Sequence, residues 1–231
     1  MEIFWRLAFG HFLSDFTFQS NYIAAWKRRS IWGMLVHVAL HPLVYIVLTW
    51  PYINDIWVDT RWVELNGWGS IFLVTIAHFL EDEWRVWSMR RGAPDNFLFY
   101  AWDQVIHLVV LFALSPMSDS FVQSKWPILG CLFVLATHFA TVTIYFFEKD
   151  IYGRDFPATE EKYISMLYRL GALLCFMLPG YWWMGLVFFM VGRLSWLIYK
   201  RRFDFSWTSY LLGSFFAIAC GAAARYVVYY V

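Results

Sequence analysis

Polar side chains that could do chemistry recur at helical spacing inside otherwise apolar stretches. His11 and Asp15 stand four residues apart, with Gln19 four further on; His37 and His41, His78 and Asp82, and in reversed order Asp103 and His107 repeat the spacing. Residues at i and i+4 share one helix face, one turn apart, so each of four helices presents a face with two potential ligands. Imidazole with carboxylate suits a divalent ion such as Zn, Mn or Fe, and inward-facing carboxylates and histidines are how helix bundles build metal centres. A catalytic ion keeps one position open for water and acidifies it. His11, Asp15, His37, His41, His78, Asp82, Asp103 and His107 are therefore the candidate ligands. Glu81, next to Asp82, is the candidate general base, with Asp82 and Asp103 as its catalytic companions. The competing readings are a buried hydrogen-bond network that ties helices together and, for a histidine pair at matched depth, axial ligation of a b-type haem.

Such residues need apolar helices to hold them. Of 231 residues, 61% are hydrophobic, 23% aromatic and 15% charged, whereas soluble domains have about 45–50% apolar and about 25% charged residues. Mean hydropathy is +0.51. A bilayer-crossing helix needs about 20 mostly apolar residues. That length predicts eight segments, at 3–26, 31–50, 68–89, 97–115, 126–147, 163–178, 182–199 and 207–230. The sixth and seventh could instead form a re-entrant pair around Pro179-Gly180, a strong turn signal. The expected fold is an all-α, polytopic integral membrane helical bundle. It forms one transmembrane domain over 1–231, with 1–116 the four-helix His/Asp-bearing half and 117–231 a four-helix supporting half.

Basic residues cluster in alternate loops: Lys27-Arg28-Arg29, Arg90-Arg91, Lys149 with Arg154 and Lys162, and Lys200-Arg201-Arg202. Cytoplasmic loops carry the excess of Lys and Arg, which places both termini away from the cytoplasm. At about 1.5 Å rise per residue, His41, His78 and His107 then lie roughly 15 Å deep and Asp15 roughly 16 Å. His37, Asp82, Asp103 and Gln19 lie roughly 9–10 Å deep, and His138 on the fifth helix roughly 14 Å. The reversed Asp103…His107 order is what an opposite-running helix needs to set Asp beside Asp and His beside His.

Arg169 and Arg193, both roughly 9 Å deep, are candidates for an anion clamp, because the guanidinium keeps its charge and binds phosphate or carboxylate with a planar fork. Gln19 and Gln104 count with them as substrate contacts. The alternative for the arginines is an internal ion pair with Asp82, Asp103 or Glu81. Arg85, near a helix end, is expected to reach toward the headgroups. Cys131, Cys175 and Cys220 sit in apolar stretches and form no disulfide or metal motif. A net charge of +1 leaves no nucleic-acid footprint. No GxGxxG, P-loop, HExxH or GxSxG occurs, so nucleotide-dependent and serine-based chemistry have no support.

The run Gly10-His11-x3-Asp15-x3-Gln19 with its following basic cluster, then His37, His78-x3-Asp82 and Asp103-Gln104-x2-His107, resembles an uncharacterised bacterial membrane-protein family, domain of unknown function 3307 (DUF3307). The resemblance covers about the first half of the chain, and a weaker one runs on through Arg169 and Arg193 to Tyr210–Ser214. Where such members tend to have Lys after the third-helix motif, this chain has Arg85, so a Lys-specific role does not carry over. The resemblance implies a bacterial inner-membrane location and carries no activity. A looser similarity links the pattern to membrane-bound metal-dependent hydrolases.

Three functions compete. One is a metal-dependent membrane hydrolase acting on a lipid or lipid-linked, phosphate-bearing substrate. The second is a metal- or proton-coupled transporter, which broken helices at the site would favour; only Pro42, after His41, interrupts the first four segments. The third is a b-type haem protein or a non-catalytic membrane subunit.

Overall fold

The computed structural model describes residues 1–116, 124–153, 155–156, 159–199 and 206–231. Arg154, Asp119 and the Lys200-Arg201-Arg202 triplet lie outside them. The described chain is mostly helical and forms two compact units, Met1–Pro127 and Ile128–Val231.

In the first unit α1 (Glu2–Phe12) continues into a π-helical turn, Leu13–Phe18, and then stops. Gln19 is extended (ψ 99°), and Ser20 caps a new short helix, α2 (Asn21–Lys27), by accepting a hydrogen bond from the Ile23 N–H at 3.2 Å. The expected continuous helix 3–26 is therefore broken. The cause is local: the Gln19 side chain donates to the Asp15 carbonyl and closes the turn, and Ser20, a favoured N-cap residue, accepts from the Ile23 N–H to start the next helix. No residue of α2 is fully buried. It lies against α3 (Ile31–Thr49) at Gly33, where an added Cβ would stand 2.5 Å from the Trp26 carbonyl carbon. Glycine is thus what allows the two backbones to approach.

A two-stranded antiparallel hairpin follows, β1 (Ile56–Asp59) with β2 (Glu64–Asn66), in a segment expected to be a loop. Then come α4 (Gly67–Arg90) and α5 (Phe97–Ala113), each N-capped by an asparagine side chain, Asn66 and Asn96. Ile3, Leu7, Tyr45, Ile71, Val74 and Leu111 pack together from all four long helices, and Ile53 and Trp57 join them from the hairpin side. This cluster holds the helix faces in register beside the polar residues. Near it, Glu2 and Arg6 form a buried pair at 2.6 Å, with Arg6 also donating to the Leu48 carbonyl.

A long helix runs from Lys125 to Tyr152 through a π turn at Leu135–Phe139, as α6 (Lys125–Val134) and α7 (Ala140–Tyr152). In the second unit, α8 (Thr159–Met177) turns at Pro179-Gly180, where Gly180 adopts φ 62°. Then follow α9 (Gly185–Tyr199) and α10 (Trp207–Tyr230). Ala136, Leu173, Cys220 and Ala224 form the core here.

Three stretches are long and apolar enough to cross a membrane: Ile31–Tyr52, Lys125–Tyr152 and Trp207–Tyr230. Their outer faces are strongly apolar. Leu43 (62%), Val47 (73%) and Phe215 (63%) are largely exposed, and extended apolar surface of this kind marks a membrane or partner contact.

Candidate metal centre

All eight residues expected as ligands are buried within the first unit. His11, His37 and His41 are fully inaccessible, and Asp15, His78, Asp82, Asp103 and His107 are each at most 6% exposed. They form three overlapping groups able to hold a metal ion: His11, Asp15, His41 and His78; His37, His78 and Asp82; and Asp82, Asp103 and His107. Within each group the ligand atoms lie within 4.8 Å of one another. The π turn after His11 carries Asp15 into the cluster, and π turns concentrate at functional sites. The imidazoles of His41 and His78 are 3.8 Å apart between centroids, and those of His78 and His107 4.2 Å.

Asp15 is the hub. Its Oδ1 stands 3.0 Å from His41 Nε2, 3.3 Å from His37 Nε2 and 3.7 Å from His78 Nε2, while Oδ2 is 3.7 Å from His11 Nε2. His41 is the informative member. Its Nδ1 lies 3.3 Å from the His37 carbonyl oxygen, which can only accept, so Nδ1 carries the hydrogen. Metal-bound histidines characteristically donate their other ring N–H in this way. In the neutral ring Nε2 then points a lone pair at the Asp15 carboxylate, a contact that needs a cation between the two atoms or a proton carried by one of them. Two ligand atoms about 2.1 Å from one ion stand about 3.0 Å apart at a right angle and about 3.4 Å apart at the tetrahedral angle. The separations of His41 and His78 Nε2 from Asp15 Oδ1, 3.0 and 3.7 Å, bracket those values.

Several buried polar atoms find no partner here. Both ring nitrogens of His107, Nδ1 of His11 and of His37, and Oδ1 of Asp103 make no hydrogen bond. Buried polar groups are nearly always satisfied, so this concentration points to ligand capacity that protein contacts leave unused.

The other expected site residues separate. Gln104 joins the cluster: its Nε2 donates to Asp103 Oδ2 (3.1 Å) and Asp15 Oδ2 (3.4 Å), and its Oε1 faces His11 Nε2 at 3.2 Å. It orients three of the candidate ligands. Gln19 instead donates to the Asp15 backbone carbonyl at 3.0 Å and closes the π turn. Glu81 falls outside the three groups, with a buried Oε1 that has no partner. Arg169 and Arg193 belong to the second unit. Arg169 donates to the Ala136 and Thr137 carbonyls and to Thr141 Oγ1, at 2.6, 3.0 and 2.5 Å, and so serves acceptors at the π turn of the long helix. Arg193 packs against the Tyr210 ring, and both arginines line one small pocket with Tyr168, Phe189 and Gly213. His138 is also in the second unit, 3.4 Å from the Thr137 hydroxyl, and joins none of the metal-binding groups among the described residues.

Two cations that sequence reasoning assigned to the surface reach inward. Lys27, read as part of a loop cluster, is 12% exposed, and its Nζ lies 3.0 Å from Asp82 Oδ2 and 3.1 Å from His37 Nε2. Arg85, expected to reach the headgroups, is 11% exposed and donates to Asp103 Oδ2 at 3.1 Å and Asp95 Oδ1 at 3.4 Å. One available signal for Lys27 was the polar run Gln19-Ser20-Asn21, which breaks the helix and redirects the chain beyond it. For Arg85 it was the spacing of three from Asp82, which puts both on one side of α4.

A family model described as a protein of unknown function (DUF3307) matches residues 3–141, a span that contains every residue of the cluster. No curated protein and no solved structure matches the chain.

Proposed function

The chain belongs to the DUF3307 family of proteins of unknown function, and we propose that in it this cluster is a divalent-metal centre of a membrane-embedded hydrolase. The observation that carries the reading is His41: with Nδ1 committed to a carbonyl, its Nε2 faces Asp15 Oδ1 at 3.0 Å. The group His11, Asp15, His41 and His78 supplies three imidazoles and one carboxylate, a donor set suited to Zn, Mn or Fe. An ion held there supplies Lewis acidity and an acidified water. The chain's own residues hold the ligands in place: Gln104 ties His11, Asp15 and Asp103 together, and Lys27 and Arg85 balance Asp82 and Asp103. Glu81 is the proposed base. The substrate is a lipid or lipid-linked molecule carrying a phosphate or similar anion. In this reading the chain sits in the bacterial inner membrane with eight membrane segments and both termini away from the cytoplasm.

The test is metal content and turnover together. Protein purified in detergent without chelator should contain a stoichiometric transition ion and release phosphate or headgroup from a panel of lipid-linked phosphates. Activity should vanish with chelator and return with added Zn²⁺ or Mn²⁺. Protein that stays metal-free after incubation with both ions would end the metal reading.

One observation favours a second reading. The first helix breaks at Gln19, directly after the turn that holds Asp15, and broken helices at an ion site are the signature of transporters. Metal uptake into proteoliposomes, without hydrolysis of any panel member, would move the assignment to transport.

A further inference from the structure

Each of the three metal-binding groups contains a carboxylate, yet their electrostatic situations differ. Asp82 is met by the Lys27 ammonium at 3.0 Å and Asp103 by the Arg85 guanidinium at 3.1 Å. Asp15 has no lysine or arginine within ion-pair distance among the described residues; its partners are histidines and Gln104. Three buried carboxylates thus share two built-in cations, and the uncompensated charge sits on Asp15. A buried charge without a partner is strongly disfavoured, so the cation the cluster still requires belongs in the group around Asp15.

The position of Lys27 is specific. Its Nζ lies 3.0 Å from Asp82 Oδ2 and 3.1 Å from His37 Nε2, and those two atoms are themselves 3.0 Å apart, so the three form a near-equilateral triangle. With His78 Nε2, which is 3.4 Å from His37 Nε2 and 3.5 Å from Asp82 Oδ2, they make up the second group. The separations suit one ion held at about 2.0–2.2 Å by each atom, but an ammonium is already seated against two of the three. Ion and ammonium cannot both use the same lone pairs. His78 belongs to the Asp15 group as well, so the two cation positions adjoin, as in two-metal centres where the ions stand about 3.5–4 Å apart. Lys27 comes from α2, which has no fully buried residue of its own. The close backbone approach at Gly33 holds that helix against α3, and the lysine side chain runs from its end into the cluster.

From this geometry we infer that Lys27 is a tethered cation filling the second position of what would otherwise be a two-metal centre, so that the native chain holds one divalent ion, in the group around Asp15. The inference rests on the metal reading above and deepens it. A single ion beside a fixed ammonium distinguishes this centre from a pair of equivalent ions: the lysine supplies positive charge next to the ion without using an exchangeable metal. Lys27 acts here as a positioning and charge-balancing residue.

Metal stoichiometry decides the matter. Wild-type protein and Lys27→Met, purified in detergent and equilibrated with Zn²⁺ and in parallel with Mn²⁺, would be counted by elemental analysis after removal of free ion. The expected result is one ion per chain in wild type, two in Lys27→Met, and one in Lys27→Arg, which restores the charge. An unchanged count in Lys27→Met, or two ions in wild type, overturns the inference and leaves the metal centre standing. No ion in either protein removes the centre itself and the inference with it. Should Lys27→Met fail to fold, the wild-type count still tests the claim, since two ions refute it.

Discussion

Replacing Asp15 by Asn is the most informative single change. The amide keeps the size and shape of the carboxylate but loses its charge. In the structure Asp15 Oδ1 faces three imidazole nitrogens at 3.0, 3.3 and 3.7 Å, and Oδ2 stands 3.7 Å from a fourth, on His11. Structural zinc sites with four ligands bind with about 10–16 kcal/mol, roughly 3 kcal/mol per ligand, and about 1.4 kcal/mol is tenfold in affinity. Asp15→Asn should therefore weaken metal binding by about 100-fold. The readout is thermal or denaturant stability of metal-stripped protein with added ion. At an ion concentration about 100 times its Kd, the wild type gains about 2.7 kcal/mol. The variant, with Kd about equal to that concentration, gains only about 0.4 kcal/mol, from RT ln 2. If Asp15→Asn folds and gains as much stability from Zn²⁺ as wild type does, Asp15 is not a ligand and the hub argument fails. If neither protein gains stability, the cluster is a buried hydrogen-bond network and not a metal centre.

The same geometry sets other outcomes. Arg169→Gln loses donors to two carbonyls and a hydroxyl at the π turn; the Thr137 carbonyl and the Thr141 hydroxyl keep each other as partners, so at about 1–3 kcal/mol for a buried acceptor left unmet the change should destabilise the protein by about 1–3 kcal/mol in a denaturant titration while metal content stays unchanged. Reporter fusions after Arg29, Arg91 and Arg202 should report cytoplasm, and fusions near Asp59 and Asp119 the opposite side; two or more reversals would discard the eight-segment arrangement. Purified protein should show no Soret band, and a stoichiometric haem absorption that disappears in His78→Ala would replace the metal ion with haem.

The i, i+4 pairs were legible in the sequence because helical periodicity is local. Four pairs of polar residues inside apolar stretches can avoid hydrocarbon only by facing one another, and the reversed order of Asp103 and His107 already required an opposite-running helix. The apolar composition likewise pointed to a mostly helical architecture, since a helix satisfies its own backbone; the hairpin at Ile56–Asn66 was not legible there. What the tertiary structure decided depends on directions in space that a linear pattern does not carry. The break at Gln19 turned a presumed surface lysine inward, because a long flexible side chain reaches wherever its helix end points. Gly33 determines how closely that helix lies, a steric fact visible only once Trp26 is seen against it. Arg85 found Asp103 across the α4–α5 boundary, and Arg169 found the carbonyls of a π turn that no motif announces. The ligand types and their helical faces follow from residue identity and spacing; the number of cations the cluster needs follows only from which charges the fold brings into contact.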